Sequence, residues 1–278
     1  MPLVRISDPT DSVLADYRNL PEPELVQRRG LFVAEGRLVV RRLLTESGFA
    51  VRSVMVTEPA RLAIEDALAR RPGVPVYVMP QPVMNEVAGF NIHRGCLAIG
   101  ERPAERGWED LLSDPKSQNP NPNAIVVLEG IGNADNVGGI FRSAAAFGAG
   151  AVLLDPASTD PLYRKAIRTS MGAALVVPFA RLSPWPSALA ALQDAGFATL
   201  ALTPDASAPA IRDTLHAIGS GRVALLLGHE GDGLSAAALA ACSHQARIPI
   251  AASVDSLNVA VAAAIALYEC TAAGAGAR

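Results

Sequence analysis

The chain has 278 residues, of which 50% are apolar and 18% charged, with a formal net charge of −3. That is enough apolar material for one large domain or two ordinary ones, and it excludes a disordered or strongly basic chain. Basic character is almost all arginine, since Lys116 and Lys165 are the only lysines, and arginine's planar fork of donors suits phosphate. Cys96, Cys242 and Cys270 form no CxxC and no zinc-type spacing with histidine, so no metal is expected, and an odd count without a framework suits a reducing cytoplasm. The N-terminal MPLVRISDPTDSVLADY lacks the apolar core of a signal peptide. The longest apolar stretch, LNVAVAAAIALY at 257–268, is too short to span a bilayer. A soluble, cytoplasmic protein is expected.

In chain order, LFVA at 31–34 predicts a strand, and GRLVVRRLLTESG at 36–48 has helical apolar spacing closed by a glycine. VRSVMVTE at 51–58 predicts a second strand and ARLAIEDALARR at 60–71 a second helix. VPVYVM at 74–79 and GCLAIGE at 95–101 complete a small α/β sheet. The proline- and asparagine-rich SDPKSQNPNPN then punctuates the chain. The division expected is a first domain over 1–101, a linker over 102–123 and a second domain over 124–278. In the second domain strands are predicted at 124–129, 151–154, 174–178, 197–202, 222–227 and 246–250. Helices are predicted at 136–147, 161–170, 186–195, 235–241 and 257–270. Continuous apolar strands point to a parallel sheet covered on both faces.

Ligands of such sheets sit beyond the carboxyl ends of the strands, where three loops stand out. The first, GIGNAD at 130–135, lacks the third glycine of a dinucleotide fingerprint, because Asp135 occupies that position. No GxxxxGK[ST] run exists, which disfavours a P-loop. Asn136 reads as a helix N-cap or as something more. Arg142, in the second turn of an apolar helix, is opposed by the helix dipole and needs an anion: a ligand phosphate, or Glu230 or Asp135. The second loop, GHEGDGLS at 228–235, has three glycines that free its backbone, and Glu230 follows the strand closely. His229 has no second ligand at metal spacing and reads as a bystander. In the third, DSLNVAVAAAIALYE, Ser256 is a candidate N-cap with Asn258 in the first helical turn. Ala260, Ala262, Ala263 and Ala264 permit a close helix neighbour, in the core or at a dimer seam.

Taken together, NADNVGGIFRSAAAFGA, LLLGHEGDGLS and IPIAASVDSLNVAVAAAIALYE resemble, in order, the three motifs of the SpoU/TrmH-type RNA 2′-O-ribose methyltransferases of the SPOUT superfamily. The resemblance covers 124–270, and RKAIRTSMGAALVVPF at 164–179 is similar to the family's segment between the first two motifs. Residues 28–101, with RRGLFVAEGRLVVRRLL, more loosely resemble the ribosomal-protein-like (L30e-like) substrate-binding domain often fused ahead of it.

This resemblance implies an α/β domain whose C-terminal segment forms a trefoil knot, which ordinary topology rules would not suggest. It implies a pocket for bent S-adenosyl-L-methionine lined by Gly228, Ile248 and Leu257, with Leu202 and Thr203 as neighbours. Asn136 would fix the first loop, Arg142 would reach the nucleotide, Ser256 and Asn258 would orient the ribose end, and Glu230 would brace the loop or Arg142. It also implies a homodimer and an RNA substrate, 23S rRNA rather than tRNA. RNA contacts are expected from Arg28, Arg29, Arg37, Arg41, Arg42, Arg164, Lys165 and Arg168; a solvated helix face is the alternative for each. The competing readings are a non-catalytic RNA-binding module of the same fold, a nicotinamide enzyme using 130–139, and a base methyltransferase.

Overall fold

The structure, a computed structural model, describes residues 2–18, 23–113, 124–251 and 253–275. Up to residue 101 the chain forms β1 (Leu3–Arg5), β2 (Leu31–Glu35), α1 (Arg37–Thr45), β3 (Ala50–Val56), α2 (Glu58–Ala63), α3 (Glu65–Ala69), β4 (Val76–Val78), α4 (Gln81–Ala88) and β5 (Cys96–Glu101). Then come α5 (Trp108–Ser113), β6 (Ala124–Leu128), α6 (Ala134–Ala146), β7 (Val152–Leu154), α7 (Arg164–Thr169), β8 (Phe179–Arg181) and α8 (Ala188–Asp194). The last elements are β9 (Phe197–Leu202), α9 (Ile211–Ile218), β10 (Arg222–Leu227), α10 (Ala236–Ala241), β11 (His244–Ala246) and α11 (Val259–Ala275). The chain divides into two compact units, one of Met1–Ala104 with Asp160–Val176 and one of Glu105–Thr159 with Val177–Arg278.

The first unit holds a mixed sheet in the order β1-β4-β3-β5-β2, in which β1, β4 and β3 run parallel and β5 is antiparallel to both β3 and β2. The short edge strand β1 carries three exposed residues and leaves no alternating pattern, so the sequence gives no sign of it. The predicted helix over 60–71 is two helices, broken where Ile64 leaves helical geometry at φ −125° and ψ 18°. Segment 160–176, which the rhythm of the sequence groups with the second domain, packs in this unit. Arg42 Nη1 donates to the Met171 carbonyl at 2.9 Å, and Arg102 pairs with buried Asp160.

The second unit is a six-stranded sheet in the order β11-β9-β10-β6-β7-β8, with every neighbouring pair parallel. Central β6 is buried at all five positions, as a continuous apolar run covered on both faces requires. Each of its Ile, Val and Leu side chains stabilises the fold by about 1.5–3 kcal/mol. Within the segment expected as a linker, Trp108 of α5 packs into this core beside Leu153 and Leu182; residues 114–123 lie outside the described residues. Two predicted strands differ. The run at 174–178 is a helical turn, Ala173–Leu175, entered from left-handed Gly172 (φ 82°), and the strand begins only after Pro178, which has no N–H to give a ladder. The run at 246–250 is strand only over His244–Ala246, and its remainder is irregular chain that leads toward α11.

Helix α11 lies along α6. Gly139 makes the close approach possible, since a Cβ there would sit 2.8 Å from the Ala260 Cβ. The alanine-rich stretch therefore meets a core neighbour in the chain itself.

Candidate active site

The loops following β6, β9 and β10 and the segment entering α11 enclose a cavity of about 560 Å³ in the second unit. All five residues expected to line a cofactor pocket, Leu202, Thr203, Gly228, Ile248 and Leu257, line it. So do Asn136, Glu230, Ser256 and Asn258 of the expected catalytic set. Arg142 does not. It is exposed on α6 and, among the described residues, its side chain makes no ion pair and no hydrogen bond. Among the described residues it pairs with neither Glu230 nor Asp135, and Glu230 has another partner.

That partner is Asn136. The sequence suggested Asn136 as an N-cap, but Asn133 caps α6, its Oδ1 accepting the Asp135 N–H at 2.9 Å. Asn136 therefore lies one turn in and is 9% exposed. Its Nδ2 donates to Glu230 Oε1 at 2.8 Å and its Oδ1 accepts from Asn258 Nδ2 at 2.9 Å. Asn258 Oδ1 in turn accepts the N–H groups of Ala260 at 2.9 Å and Val261 at 3.3 Å. Asn258, not Ser256, thus caps α11. Each amide orientation in this chain is set by the next: helix N–H groups fix Asn258, Asn258 fixes Asn136, and the Glu230 carboxylate holds the far end. Three motifs separated by 94 and 122 residues are joined by two hydrogen bonds. A relay of this kind, with every member satisfied, rigidifies a site.

Burial pushes the Glu230 carboxyl up, but the Asn136 hydrogen bond, backbone N–H groups of its own loop and of Asn133, and nearby His229 outweigh it. The carboxyl is held below its ordinary range. At neutral pH Glu230 is an ionised acceptor, suited to bracing and not to donating a proton. A depressed folded-state value gives stability that is fully present above the ordinary glutamate value of about 4.3 and is lost as pH falls through the lower, folded value. Thermal unfolding followed from pH 6 down to pH 3 is therefore expected to show a steeper acid loss for the native protein than for Glu230→Gln. Equal acid limbs would contradict the assignment.

The wall carrying Glu230 is a tight turn. His229 and Gly233 exchange backbone hydrogen bonds at 3.1 and 3.0 Å, and Gly233 has φ 70°. His229 Nδ1 accepts the N–H groups of Gly231 at 3.1 Å and Asp232 at 3.2 Å, so this histidine, expected to be a bystander, staples the loop. Gly228 is obligatory for a packing reason: a Cβ there would lie 2.2 Å from both the Gly233 carbonyl carbon and the Leu234 nitrogen, which are backbone atoms that cannot yield. Gly228→Ala is expected to displace the turn and weaken cofactor binding at least tenfold in a calorimetric titration, the equivalent of about 1.4 kcal/mol. Unchanged affinity would show that this wall is not part of the pocket.

Sequence reading missed the groups that hold the first loop. Asp155 Oδ1 accepts from Gly130 N at 3.0 Å and from Ser158 Oγ at 2.6 Å. Ser158 Oγ accepts from Ile131 N at 3.1 Å, and Thr159 Oγ1 donates to the Gly132 carbonyl at 2.6 Å. The Asp-Pro-Ala-Ser run after β7 is a turn signature that marks this anchor. Glu129, buried at the end of β6, accepts from Trp185 Nε1 at 2.6 Å and from Ser235 Oγ at 2.7 Å, tying the loop to the start of α10. Nothing in the sequence distinguishes it from a solvated strand end.

The eight cations expected to contact RNA divide by what holds them. Arg28, Arg37 and Arg168 are exposed, and their side chains make no ion pair or hydrogen bond among the described residues. Arg29 pairs with Asp16, Arg41 with Asp66 and Arg42 with Glu46. Arg164 Nε lies 3.9 Å from buried Glu35, with its guanidinium 4.2 Å from the Phe90 ring centroid. Lys165 is exposed. Among the described residues no group of three His, Cys, Asp or Glu side chains is placed to hold a metal, and no helix is long and apolar enough to cross a membrane.

Residues 123–268 match the model of the SpoU rRNA Methylase family. The chain is 40% identical over 273 residues to an uncharacterized tRNA/rRNA methyltransferase of Mycobacterium bovis, covering 97% of this chain and 92% of that one. It is 29% identical over 234 residues to the 23S rRNA (guanosine-2′-O-)-methyltransferase RlmB of Vibrio cholerae, covering 79% and 92%. In fold it is similar to an AdoMet-bound rRNA methyltransferase from Sinorhizobium meliloti, with a TM-score of 0.76, 24% identity and coverage of 96% and 97%. With its three signature loops gathered on one cavity at the carboxyl edge of a parallel sheet, the chain belongs to the SpoU family of RNA methyltransferases.

Proposed function

We propose that this chain methylates a ribose 2′-hydroxyl of RNA, with 23S rRNA as the favoured substrate and S-adenosyl-L-methionine as the methyl donor. The observation that carries the reading is the Asn258–Asn136–Glu230 relay on the edge of the cavity. The cavity fits the donor. Its volume lies within the usual range for small-molecule sites. Leu202, Ile248 and Leu257 supply apolar surface for an adenine. When bound, the donor supplies an electrophilic methyl on a sulfonium. The AdoMet-bound relative named above supports this choice, and the Vibrio relative, a 2′-O-methyltransferase of 23S rRNA, supports both ribose and target.

The protein's own residues orient the acceptor and stabilise charge. Ser256 and Asn258 line the cavity and would orient the ribose, and Asn136 and Glu230 hold Asn258 in place. Holding the reactants in attack geometry supplies about 7–11 kcal/mol of the barrier. Arg142 acts as a cation toward the phosphate and the developing alkoxide. A guanidinium stays protonated at any pH of interest, so it is an electrostatic group and not a base. Because Arg142 is exposed and lies outside the cavity of its own chain, the reading includes a homodimer in which it serves the neighbouring subunit's site. The exposed Val261 and Tyr268 on α11 fit such a seam.

The trefoil knot, the division into substrate-binding and catalytic domains, and the L30e-like character of the first unit are parts of the same reading. Convergence of 202–203, 228–233, Ile248, Ile250 and 256–258 on one cavity is what knotted loops would give. The side chains of Arg28, Arg37 and Arg168, exposed and without an ion pair among the described residues, support RNA binding by the first unit. The reading is tested by mapping ribose methylation in rRNA and tRNA from cells with and without this protein. One missing 2′-O-methyl mark in 23S rRNA is expected; a mark lost from tRNA instead would move the target, and loss of none would oppose the reading.

A further inference from the structure

The first loop leaves β6 through Gly130, Ile131 and Gly132 before Asn133 caps α6. Two of these three residues have no side chain to hold them, and Gly130 is left-handed at φ 65°. The turn after β7 supplies the hold. Asp155 Oδ1 accepts from Gly130 N at 3.0 Å, and it also accepts from Ser158 N at 2.8 Å and Ser158 Oγ at 2.6 Å. Because the Ser158 hydroxyl donates to Asp155, its oxygen is free to accept from Ile131 N at 3.1 Å. Thr159 N donates to the Ile131 carbonyl at 2.9 Å and Thr159 Oγ1 to the Gly132 carbonyl at 2.6 Å. The turn is itself held from β8, where Arg181 Nη1 donates to the Asp155 and Ser158 carbonyls, both at 2.8 Å. Asp155 and Ser158 are each 4% exposed, so this is not a solvated surface turn. Neither lines the cofactor cavity, and among the described residues neither bonds a side chain of the relay.

We propose that Asp155 is a positioning residue for methyl transfer: through Ser158 and the backbone of 130–132 it sets where α6 begins, and so where Asn136 stands in the relay that orients the acceptor. The proposal rests on the ribose methyl-transfer reading. The connection is short, since Asn136 lies in the first turn of the helix that this loop enters. Asn136 has to meet two partners at once, Glu230 at 2.8 Å and Asn258 at 2.9 Å. A shift of about 1 Å away from them takes both contacts beyond hydrogen-bonding distance, and misplacement of that size costs about 10²-fold in rate. The apolar wall for the donor comes from other segments, Leu202, Ile248 and Leu257, which the turn does not hold. Asp155 therefore acts on the transfer step and not on donor binding.

Single-turnover transfer to rRNA at saturating S-adenosyl-L-methionine, at a temperature where every variant is folded, measures the effect. Asp155→Ala is expected to lower the rate constant by about tenfold or more, with the calorimetric Kd for S-adenosyl-L-methionine within about twofold of the native value. Asp155→Asn, which keeps an oxygen for the same three bonds, is expected to recover most of the rate. A double-mutant cycle with Asn136→Ala separates positioning from general weakening, because residues that act through one network are not additive. Added to Asn136→Ala, the Asp155→Ala change is expected to cost about twofold more at most; an independent structural role would cost the full factor again. A native rate in Asp155→Ala, a fully additive loss in the double variant, or a cofactor Kd weakened in step with the rate overturns the proposal. If Asp155→Ala does not fold, Ser158→Ala removes the hydroxyl that links Asp155 to Ile131 and carries the same cycle, and additive losses there overturn it equally. The native protein tests the underlying reading. If it places no methyl group on ribose, that reading falls and the proposal with it, whereas an active native protein with an unaffected Asp155 variant removes the positioning role alone.

Discussion

Arg142→Lys is expected to lower methyl transfer by about 10²–10³-fold, the cost of removing one oriented group that stabilises transition-state charge, while cofactor affinity and thermal stability stay unchanged. Both halves follow from where the residue sits. Among the described residues the Arg142 side chain makes no hydrogen bond and no ion pair, so losing its fork breaks no such bond, and it does not line the cavity where the donor would bind. Lysine keeps the charge but not the planar pair of donors, so a role in gripping phosphate and an emerging oxygen together does not survive the exchange. Single-turnover transfer to rRNA with saturating donor measures the loss. A lysine variant that retains full activity would leave Arg142 as an ordinary solvated arginine.

Asn136→Ala has the opposite signature: it should damage stability and activity together. The substitution removes the middle of the relay, leaving Asn258 Nδ2 without its acceptor and the Glu230 carboxylate without its side-chain donor. A part-buried polar group stripped of its partner costs about 1–3 kcal/mol, or a melting point lower by about 2–12 °C at the usual sensitivity of a chain this size. Methyl transfer should fall as well, because Asn258 loses the contact that orients it. Asn136→Asp sharpens the test by placing a second carboxylate against Glu230. The like charges should raise one carboxyl's protonation range and make this variant more stable in mild acid than at neutral pH, the reverse of the native trend. A variant that melts like the native protein at every pH would mean the relay carries no energy.

How much of this was legible in the sequence follows from physical range. The parallel sheet was, because β6, β9 and β10 are apolar runs that nothing but two-sided burial explains. The three loops were, because glycine, asparagine and glutamate gather there just beyond apolar strands, where ligands of such sheets sit. What was not legible is what depends on partners far along the chain. Asn133 and Asn136 are equally good caps by composition, and only the Glu230 carboxylate 94 residues away decides which one is left free for the relay. Ser256 and Asn258 present the same ambiguity, resolved by Asn136. The anchors Asp155 and Ser158 matter only through the loop they hold, and their own stretch reads as an ordinary turn. Segment 160–176 groups with the first unit through the Arg102–Asp160 pair and the Arg42 bond to Met171, neither of which leaves a periodic trace.

The central claim is that a sugar oxygen, and not a base, receives the methyl group. The direct measurement incubates the purified protein with rRNA and isotopically labelled S-adenosyl-L-methionine, digests the RNA to nucleosides and locates the label by mass spectrometry. The account predicts label in a single 2′-O-methylnucleoside, at an initial rate about 10²–10³-fold lower with the Arg142→Lys protein. Label in a methylated base, or equal label from both proteins, would contradict it.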